Sequence, residues 1–336
     1  MVGGQSNEGP IDPAILEAMA GLPDEFSKFD RIYQNEIRPA LLAREGDRVK
    51  AAEKAKLWMW LAVIIGAAIA LAGFTLFGMP QLAFLGLIAG GGAYAYGRAD
   101  LDKIGREAKS LLVLPVAAAF SLRFLEAIGQ PASFTRFRSN RLVPSWDRAN
   151  FEDELTGERS GVAFEFFEAH LEERRRTTDS RGRSRTKWVT VFRGQCLRFQ
   201  LKKRFHGRTL VTRDAGIFNR FGERDGLKRA RLEDPKFEKL FEVYTTDQVE
   251  SRYLLTPDLM QHLVELEDTF HGGKLRCAFE EGDLLIAIEG TDLFEPGSLF
   301  TPLDNPERVR ELLDDFAAVF HIVDSLSGNA SQPDDR

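Results

Sequence analysis

The chain has 336 residues, of which 43% are hydrophobic and 29% are charged, and its formal net charge is −6. This length predicts one or two domains with a substantial buried core. The two cysteines, Cys196 and Cys277, are too few for a disulfide framework or, without other donors, for a four-ligand zinc site. We interpret them as buried thiols in a reducing compartment.

The low net charge conceals two segments of opposite charge. Residues 174–213 contain fourteen lysines and arginines and one acidic residue, whereas residues 231–336 contain nine basic and 24 acidic residues. Such polarity can steer charged partners towards the protein, although it carries no information about the fold.

The N-terminal segment, residues 1–56, is predicted to be a cytoplasmic helical region. Residues 1–10 have the composition of a disordered segment, and helices are expected to begin at Asp12 and after Pro23. Apolar residues at helical spacing then form an amphipathic face: Phe26, Phe29, Tyr33 and Ile37.

The strongest signal is an uncharged apolar run at residues 57–77, LWMWLAVIIGAAIALAGFTLF. As a helix it would be roughly 31 Å long, about the thickness of one hydrocarbon core. After a short uncharged break, a more glycine-rich run covers about residues 80–96. We therefore predict a two-helix transmembrane hairpin over residues 57–97, with a buried hairpin of a soluble protein as the alternative. A signal peptide is disfavoured because the first run begins far from the N-terminus and is too long.

The charges on either side of the hairpin predict its orientation. Basic residues precede the first run and follow the second, whereas Gly78–Gln81 carries no charge. By the positive-inside rule, both termini then lie on the cytoplasmic side of an inner membrane. The flanking basic residues are Arg44, Arg48, Lys50, Lys54, Lys56, Arg98, Lys103, Arg106 and Lys109.

Small residues recur at four-residue spacing in both runs, and they allow two helix backbones to approach closely. We expect the two helices to pack against each other, with homo-oligomerisation through the same face as an alternative. Neither run contains Asp, Glu, Lys, Arg or His, which favours an anchor over a transporter or channel. The small residues are Ala62, Gly66, Ala70, Gly86 and Gly90.

The remainder is predicted to be α+β. We expect a juxtamembrane helix over residues 98–131, a mixed α+β cytoplasmic domain with antiparallel strands over residues 132–326, and a disordered tail over residues 327–336. Two long strands are predicted in the first half of this domain, the second with a turn at Arg193–Gly194. The basic segment 174–187 between them has the composition of a mobile hairpin tip.

The second half of the domain alternates helices with strands. Helices are predicted to begin at Asp234–Pro235, Thr256–Pro257 and Asn305–Pro306, each with a capping residue before a proline. Within residues 233–260, the aspartates fall at helix starts and the aromatic residues fall at core spacing. This stretch is therefore interpreted as capped helices of the fold and not as an active site.

The same stretch, LEDPKFEKLFEVYTTDQVESRYLLTP, together with VFRGQCLRFQLKKRFHGRTLV upstream and DLFEP downstream, resembles a known family. This is the bacterial membrane-anchored family catalogued as domain of unknown function 3137, and the resemblance covers roughly residues 111–323. It implies N-terminal membrane helices and a cytoplasmic α+β domain of unassigned activity. It supplies no catalytic residues, and the basic segment 174–187 is expected to be an elaboration of this member.

Common catalytic and cofactor motifs are absent from the sequence, so no cofactor, metal or catalytic residue is predicted. Four acidic residues, Glu233, Asp234, Asp247 and Glu250, are the best paired carboxylates. We interpret Asp234 and Asp247 as helix caps and Glu250 as the partner of a basic residue. If a site exists, the polar cluster most expected to form it consists of Glu250, Arg252, Tyr253 and His262.

The basic segment is a candidate contact for anionic lipid or for an acidic protein partner. Nucleic acid is disfavoured because the segment lacks interleaved aromatic residues and any recognised module. A solvated loop is the alternative. The residues concerned are Arg174, Arg175, Arg176, Arg181, Arg183, Arg185 and Lys187.

Three functions are consistent with this sequence. The first is a membrane-anchored interaction or scaffold protein with a protein partner at the inner membrane face. The second is a membrane-associated enzyme of unrecognised type that uses Glu250, Tyr253 and His262. The third is an anionic-lipid-contacting domain that uses the basic block 174–213.

Overall fold

The computed structural model describes residues 29–75, 78–79, 81, 83–178, 184–213, 226–269 and 274–330. The helices predicted at Asp12 and after Pro23, and the end of the predicted tail, lie outside these residues. The chain forms two compact units. Unit 1 comprises Met1–Val116 and Phe294–Asp315, and unit 2 comprises Ala117–Leu293 and Phe316–Arg336.

Unit 1 is built mainly from long helices. α1 (Phe29–Ile32) continues through a π-helical turn (Tyr33–Ile37) into α2 (Arg38–Thr75), and α3 (Ala83–Ala119) follows. The predicted amphipathic face is buried at Phe29, Tyr33 and Ile37. The N-terminal helix therefore runs without a break into the apolar run.

One helix in the described part of the chain, Tyr33–Thr75, is long and apolar enough to cross a membrane by length and composition. Only 11% of its most apolar window is buried, whereas the core helix of a soluble protein would be mostly buried. The second predicted span falls on α3 and on neighbouring residues that lie outside the described part.

Helices α2 and α3 approach closely at the small residues that the sequence singles out. A Cβ atom added to Gly86 would lie 2.5 Å from the Gly66 carbonyl oxygen, and one added to Gly90 would lie 2.8 Å from the Ala62 carbonyl oxygen. Neither distance is compatible with a side chain, because the obstacle is backbone. Glycine at these two positions thus sets the distance between the helices.

Buried arginines anchor the segment that follows the sheet within unit 1. Arg48 pairs with Glu45 and donates a 3.1 Å hydrogen bond to the Leu299 carbonyl oxygen, and Glu45 accepts one of 3.0 Å from the Leu303 amide. Arg308 donates to the Pro296 and Ser298 carbonyls. These charge-assisted bonds lower the pKa of Glu45, chiefly through the hydrogen bond from Arg48.

Unit 2 is organised around one antiparallel sheet of nine strands in the order β1-β2-β3-β4-β9-β8-β5-β7-β6, which confirms the predicted α+β class with antiparallel strands. The strands are β1 (Arg123–Ile128), β2 (Arg148–Arg159), β3 (Val162–Thr178), β4 (Ser184–Gln200), β5 (Thr209–Arg213), β6 (Lys228–Ala230), β7 (Phe241–Thr245), β8 (Arg276–Glu280) and β9 (Asp283–Glu289).

The remaining helices confirm the predicted capping. Asp234 accepts hydrogen bonds from the Lys236 and Phe237 amides at 2.8 and 2.9 Å, and Asp247 caps the next helix in the same way. The helices are α4 (Phe134–Ser139), α5 (Pro235–Leu240), α6 (Gln248–Leu254), α7 (Pro257–Thr269) and α8 (Pro306–Ala330).

Both faces of the central strands are buried. Alternate residues of β3 and β4 point to opposite faces of the sheet, and buried residues occur on each face. On one face, Phe167 packs in a cluster with Phe134 and Phe137 of α4, with ring centroids 6.0 and 5.8 Å apart. Cys196 belongs to this cluster, and Cys277 is also buried, as predicted. Burial raises the pKa of both thiols, so they are unreactive packing residues.

The helix predicted over residues 98–131 is wrong beyond Ala119. Ser121 has a positive φ of 58°, which ends the helix, and Arg123–Ile128 then pairs with β2 as an edge strand. Apolar content alone cannot distinguish a helix from a strand in such a short segment, so the pairing with β2 decides the structure.

The turn predicted at Arg193–Gly194 is also wrong, because β4 passes through these residues without interruption. Gly194 has a φ of 151°, and a Cβ atom there would collide with the Ile288 carbonyl oxygen of β9. The glycine therefore permits close approach of two strands and does not make a turn. The predicted hairpin tip is likewise shorter than residues 174–187, since β3 extends to Thr178 and β4 begins at Ser184.

We predict that Gly86→Ala lowers the thermal stability of the detergent-solubilised protein, because the new methyl group must separate α2 from α3. Gly92→Ala is the matched control, since a Cβ atom at Gly92 meets nothing within 4 Å. Alanine is favoured over glycine in a helix by about 1 kcal/mol, so the control should be neutral or stabilising. Circular dichroism melting curves measure both variants, and equal melting temperatures would contradict this account of the helix contact.

Candidate functional site

The predicted polar cluster of Glu250, Arg252, Tyr253 and His262 is divided among separate contacts. Glu250 accepts hydrogen bonds from the His206 and Gly207 amides at 2.8 and 2.5 Å, in place of the predicted pairing with a basic residue. Arg252 donates to the carbonyl of Gln248 on its own helix at 3.2 Å. Both side chains therefore bind backbone groups, Glu250 on a distant loop and Arg252 on its own helix.

The other two members of the predicted cluster have different neighbours. The Tyr253 ring lies 5.0 Å from Nζ of Lys203, which also donates to the Tyr253 carbonyl at 3.5 Å. His262 Nδ1 is 3.7 Å from a carboxylate oxygen of Asp258, one turn earlier on α7. Within the described part of the chain, the structure does not bring the four predicted residues together.

Lys203 lies at an apolar crevice beside Tyr253. Burial lowers the pKa of its ammonium group. Neither Glu250 nor Tyr253 lines the crevice, so it lacks the converging polar groups of a typical active site. The lining residues are Leu201, Lys203, Leu254, Leu259, Phe279, Leu284 and Leu326.

The predicted basic segment forms an exposed two-stranded ribbon, Arg174–Thr178 paired with Ser184–Trp188, which we call the basic ribbon. Residues opposite each other in an antiparallel pair project to the same face. Arg175 is opposite Lys187, and Thr177 is opposite Arg185, so three cations share one face. Arg174 and Arg176 lie on the other face, and the predicted contacts Arg181 and Arg183 lie outside the described residues.

The base of the basic ribbon carries its own carboxylates. Arg175 pairs with Glu173 at 2.7 Å. Arg148 pairs with Glu172 and stacks 4.6 Å from the Trp188 ring. These contacts hold the root of the ribbon on the sheet. On the cationic face, Arg175 and Lys187 form a like-charge pair across the strands, and Glu173, which pairs with Arg175, partly offsets their repulsion.

A third feature of unit 2 is a group of acidic residues that sequence analysis does not identify. Oxygens of Glu152 on β2, Glu168 on β3 and Asp292 after β9 all lie within 4.8 Å of one another. We call these three residues the carboxylate cluster. Arg193 on β4 donates to Asp292 through two nitrogens and is the cation in contact with it.

Glu168 is the most buried member of the carboxylate cluster, with 2% of its surface exposed. Its Oε1 accepts hydrogen bonds from the Leu293 amide at 2.7 Å and from Gln195 Nε2 at 3.3 Å. Burial raises the pKa of this carboxyl to about 9, and the charges of Asp153 and Asp292 add to the effect.

The sequence does contain a signal for Glu168. Along β3 it follows Val162, Phe164 and Phe166 at two-residue spacing, so it points to the same buried face as these apolar residues. An acidic residue in phase with core positions is unusual and indicates a functional or strained site. Asp292 offers no such signal, because its position depends on where the chain leaves β9.

Residues 190–327 match the model of a family described as "Protein of unknown function (DUF3137)". This region of the chain is therefore similar to the DUF3137 family, and we call it the DUF3137 region. The match confirms the predicted resemblance over a shorter range than expected, from the middle of β4 into α8. The basic ribbon precedes the DUF3137 region, as do Glu152 and Glu168, whereas Arg193 and Asp292 lie inside it.

One solved structure is similar to this chain, the "crystal structure of the mycobacterial trehalose monomycolate transport factor A, TtfA". It has 13% sequence identity and a TM-score of 0.35, and the similarity covers 64% of this chain and 94% of that chain. No curated protein matches the sequence.

Proposed function

We propose that this protein is a membrane-anchored cytoplasmic interaction or scaffold protein of a bacterial inner membrane. In this proposal, residues 57–77 and about 80–96 both span the bilayer, and both termini face the cytoplasm. The DUF3137 region and the strands before it then form the part that meets a protein partner.

The observation that carries this proposal is the exposed apolar surface of α2 and α3. Trp60 and Leu71 are each 64% exposed, and Leu87 on α3 is 74% exposed. Contiguous apolar surface of this kind is rare on soluble monomers. Lipid would cover it on every side of the two helices, and their close contact at Gly66 and Gly86 supports a paired insertion.

The distribution of charge supports the orientation. Lys54 lies just before the apolar run of α2 and pairs with Asp100 at 2.7 Å. Nζ of Lys54 also lies 4.7 Å from the Tyr96 ring centroid. The Trp58 and Tyr96 rings are in contact, with centroids 4.9 Å apart. Basic and aromatic residues at one level of both helices are typical of the cytoplasmic interface.

The enzyme hypothesis has less support from the structure. Glu250, Tyr253 and His262 contact separate partners, and the crevice beside Lys203 is apolar. Binding through a surface therefore accounts for more of the described residues than chemistry in a cleft does.

We expect the double variant Ile64→Arg/Leu87→Arg to lose membrane integration, because an arginine at a span centre costs about 2.5–3.5 kcal/mol by insertion scales. The control is Glu53→Arg, at an exposed position of α2 that precedes the apolar run, and this variant should remain in the membrane pellet. High-speed fractionation without detergent, followed by carbonate extraction, measures the distribution. Retention of the double variant in the extracted pellet would argue against lipid exposure of both helices.

The basic ribbon favours a second candidate function, contact with anionic lipid. Its exposed cations, Arg174, Arg175, Arg176, Arg185 and Lys187, share a short ribbon of a chain that is itself tethered at the bilayer. Each positive charge near an anionic leaflet contributes about 1 kcal/mol at low screening. An anionic surface would also relieve the repulsion between Arg175 and Lys187.

A fluorophore on Thr186→Cys tests this contact, because both natural cysteines are buried. In proteoliposomes with anionic lipid the emission should shift to the blue, and the shift should disappear in neutral vesicles or at high salt. Replacing the five cations named above with Gln should abolish the shift. An unchanged shift in that variant would exclude the ribbon as the contact, and absence of any shift would favour an acidic protein partner.

A further inference from the structure

We propose that the carboxylate cluster of Glu152, Glu168 and Asp292 binds a hard divalent cation, of the Ca²⁺ or Mg²⁺ type. This inference concerns unit 2 alone and does not depend on the proposed membrane anchoring. Three carboxylate oxygens from separate segments, within 4.8 Å of one another, provide the start of a coordination shell.

The donor chemistry selects the class of cation. The cluster offers carboxylate oxygens and neither imidazole nor thiolate, and oxygen-only sites suit Ca²⁺, Mg²⁺ or Mn²⁺ over zinc or copper. Ca–O bonds are about 2.3–2.6 Å long, so oxygens on opposite sides of a calcium ion lie about 5 Å apart. The observed spacing therefore fits calcium with little movement of the three side chains.

Two buried oxygens beside the cluster provide an independent indication. Among the described residues, Glu168 Oε2 and Gln195 Oε1 have no hydrogen-bond donor, and both atoms are shielded from solvent. Gln195 lies opposite Glu168 across the β3–β4 pair, and its amide nitrogen already donates to Glu168 and to the Thr291 carbonyl at 2.6 Å. Buried acceptors without donors are costly, and a cation would satisfy them.

Arg193 is a counter-ion of the cluster that a divalent cation could displace. Arg193 pairs with Asp292, but the Arg193 side chain is 52% exposed and can leave the carboxylate without being buried elsewhere. A divalent cation would compete with this guanidinium for Asp292. Removing the arginine should therefore strengthen cation binding, an effect that a purely structural salt bridge would not produce.

The position of the cluster indicates what the cation would do. Glu152 lies where the register of β2 and β3 shifts, and the Leu293 amide after β9 already bonds to Glu168. The Gly290 amide donates to the Arg193 carbonyl at 3.0 Å. A cation would thus connect the segment that leaves β9 to β2 and β3, and so hold the end of the sheet.

The experiment is isothermal titration calorimetry of the full chain in detergent, after treatment with a chelator, with CaCl₂ and separately with MgCl₂. We expect one saturable site. Glu168→Gln should weaken it about tenfold or more, and Arg193→Gln should tighten it. Glu158→Gln is the matched control, since it removes the same charge from an exposed position on β2, and its affinity should equal that of the unaltered protein.

Absence of saturable binding of either ion up to about 5 mM would overturn the proposal, because the weakest protein calcium sites have a Kd of about 1 mM. Equal weakening by Glu158→Gln and Glu168→Gln would also overturn it, because binding would then reflect general surface charge. If Glu168→Gln does not fold, Asp292→Asn takes its place at a position that is less buried. Unaltered affinity in a folded Asp292→Asn variant would likewise contradict the site.

Discussion

Close backbone contact between α2 and α3 is the constraint on which the N-terminal half of the protein depends. Gly86 faces Gly66 and Gly90 faces Ala62 without an intervening side chain, so the two helices pair through their smallest residues. Their larger apolar side chains are left on the outside. This is the opposite of a soluble helix pair, in which large apolar residues fill the interface, and it is the arrangement expected where lipid is the solvent.

The two units differ in how their buried charged side chains are paired. In unit 1, the buried Arg48 and Arg308 donate to backbone carbonyls, and Arg48 also pairs with Glu45, so these two side chains fix the segment that follows the sheet. In unit 2, the carboxylate cluster around Glu168 gathers acidic groups from separate strands with Arg193 as the contacting cation. The second arrangement leaves two buried oxygens, Glu168 Oε2 and Gln195 Oε1, without a hydrogen-bond donor among the described residues.

The nine-stranded sheet carries both the basic ribbon and the carboxylate cluster. The basic ribbon extends β3 and β4 into solvent, and Glu168 of the carboxylate cluster lies further along β3. Glu168 and Arg175 are seven residues apart on this strand but belong to environments of opposite charge. The exposed cations and the recessed carboxylates therefore share strand β3.

Local signals were sufficient for part of this fold. The caps at Asp234 and Asp247 depend only on the next three residues, and the core stripe of α8 follows from helical spacing, so both could be predicted. Gly194 was interpreted wrongly because its role is set by Ile288 on a distant strand. The carboxylate cluster cannot be predicted for the same reason, since it forms only when β2 pairs with β3, β3 with β4, and β4 with β9.

The polar cluster predicted from the sequence shows that residues close in sequence need not converge on one site. Glu250 and Tyr253 are close along α6, but Glu250 binds the backbone at His206, and Tyr253 contacts Lys203. Proximity in sequence identified residues with real contacts, but it did not identify the contacts. Convergence on one site requires the tertiary fold, and here the fold directs these side chains apart.

The most direct test of membrane anchoring is cysteine labelling of intact cells with a maleimide that cannot cross the membrane. Both natural cysteines are buried, so Met79→Cys, between the proposed spans, and Val249→Cys, exposed on α6, report separately. The account predicts that Met79→Cys is labelled in intact cells and that Val249→Cys is labelled only after lysis. Labelling of Val249→Cys in intact cells, or protection of Met79→Cys until lysis, would contradict it.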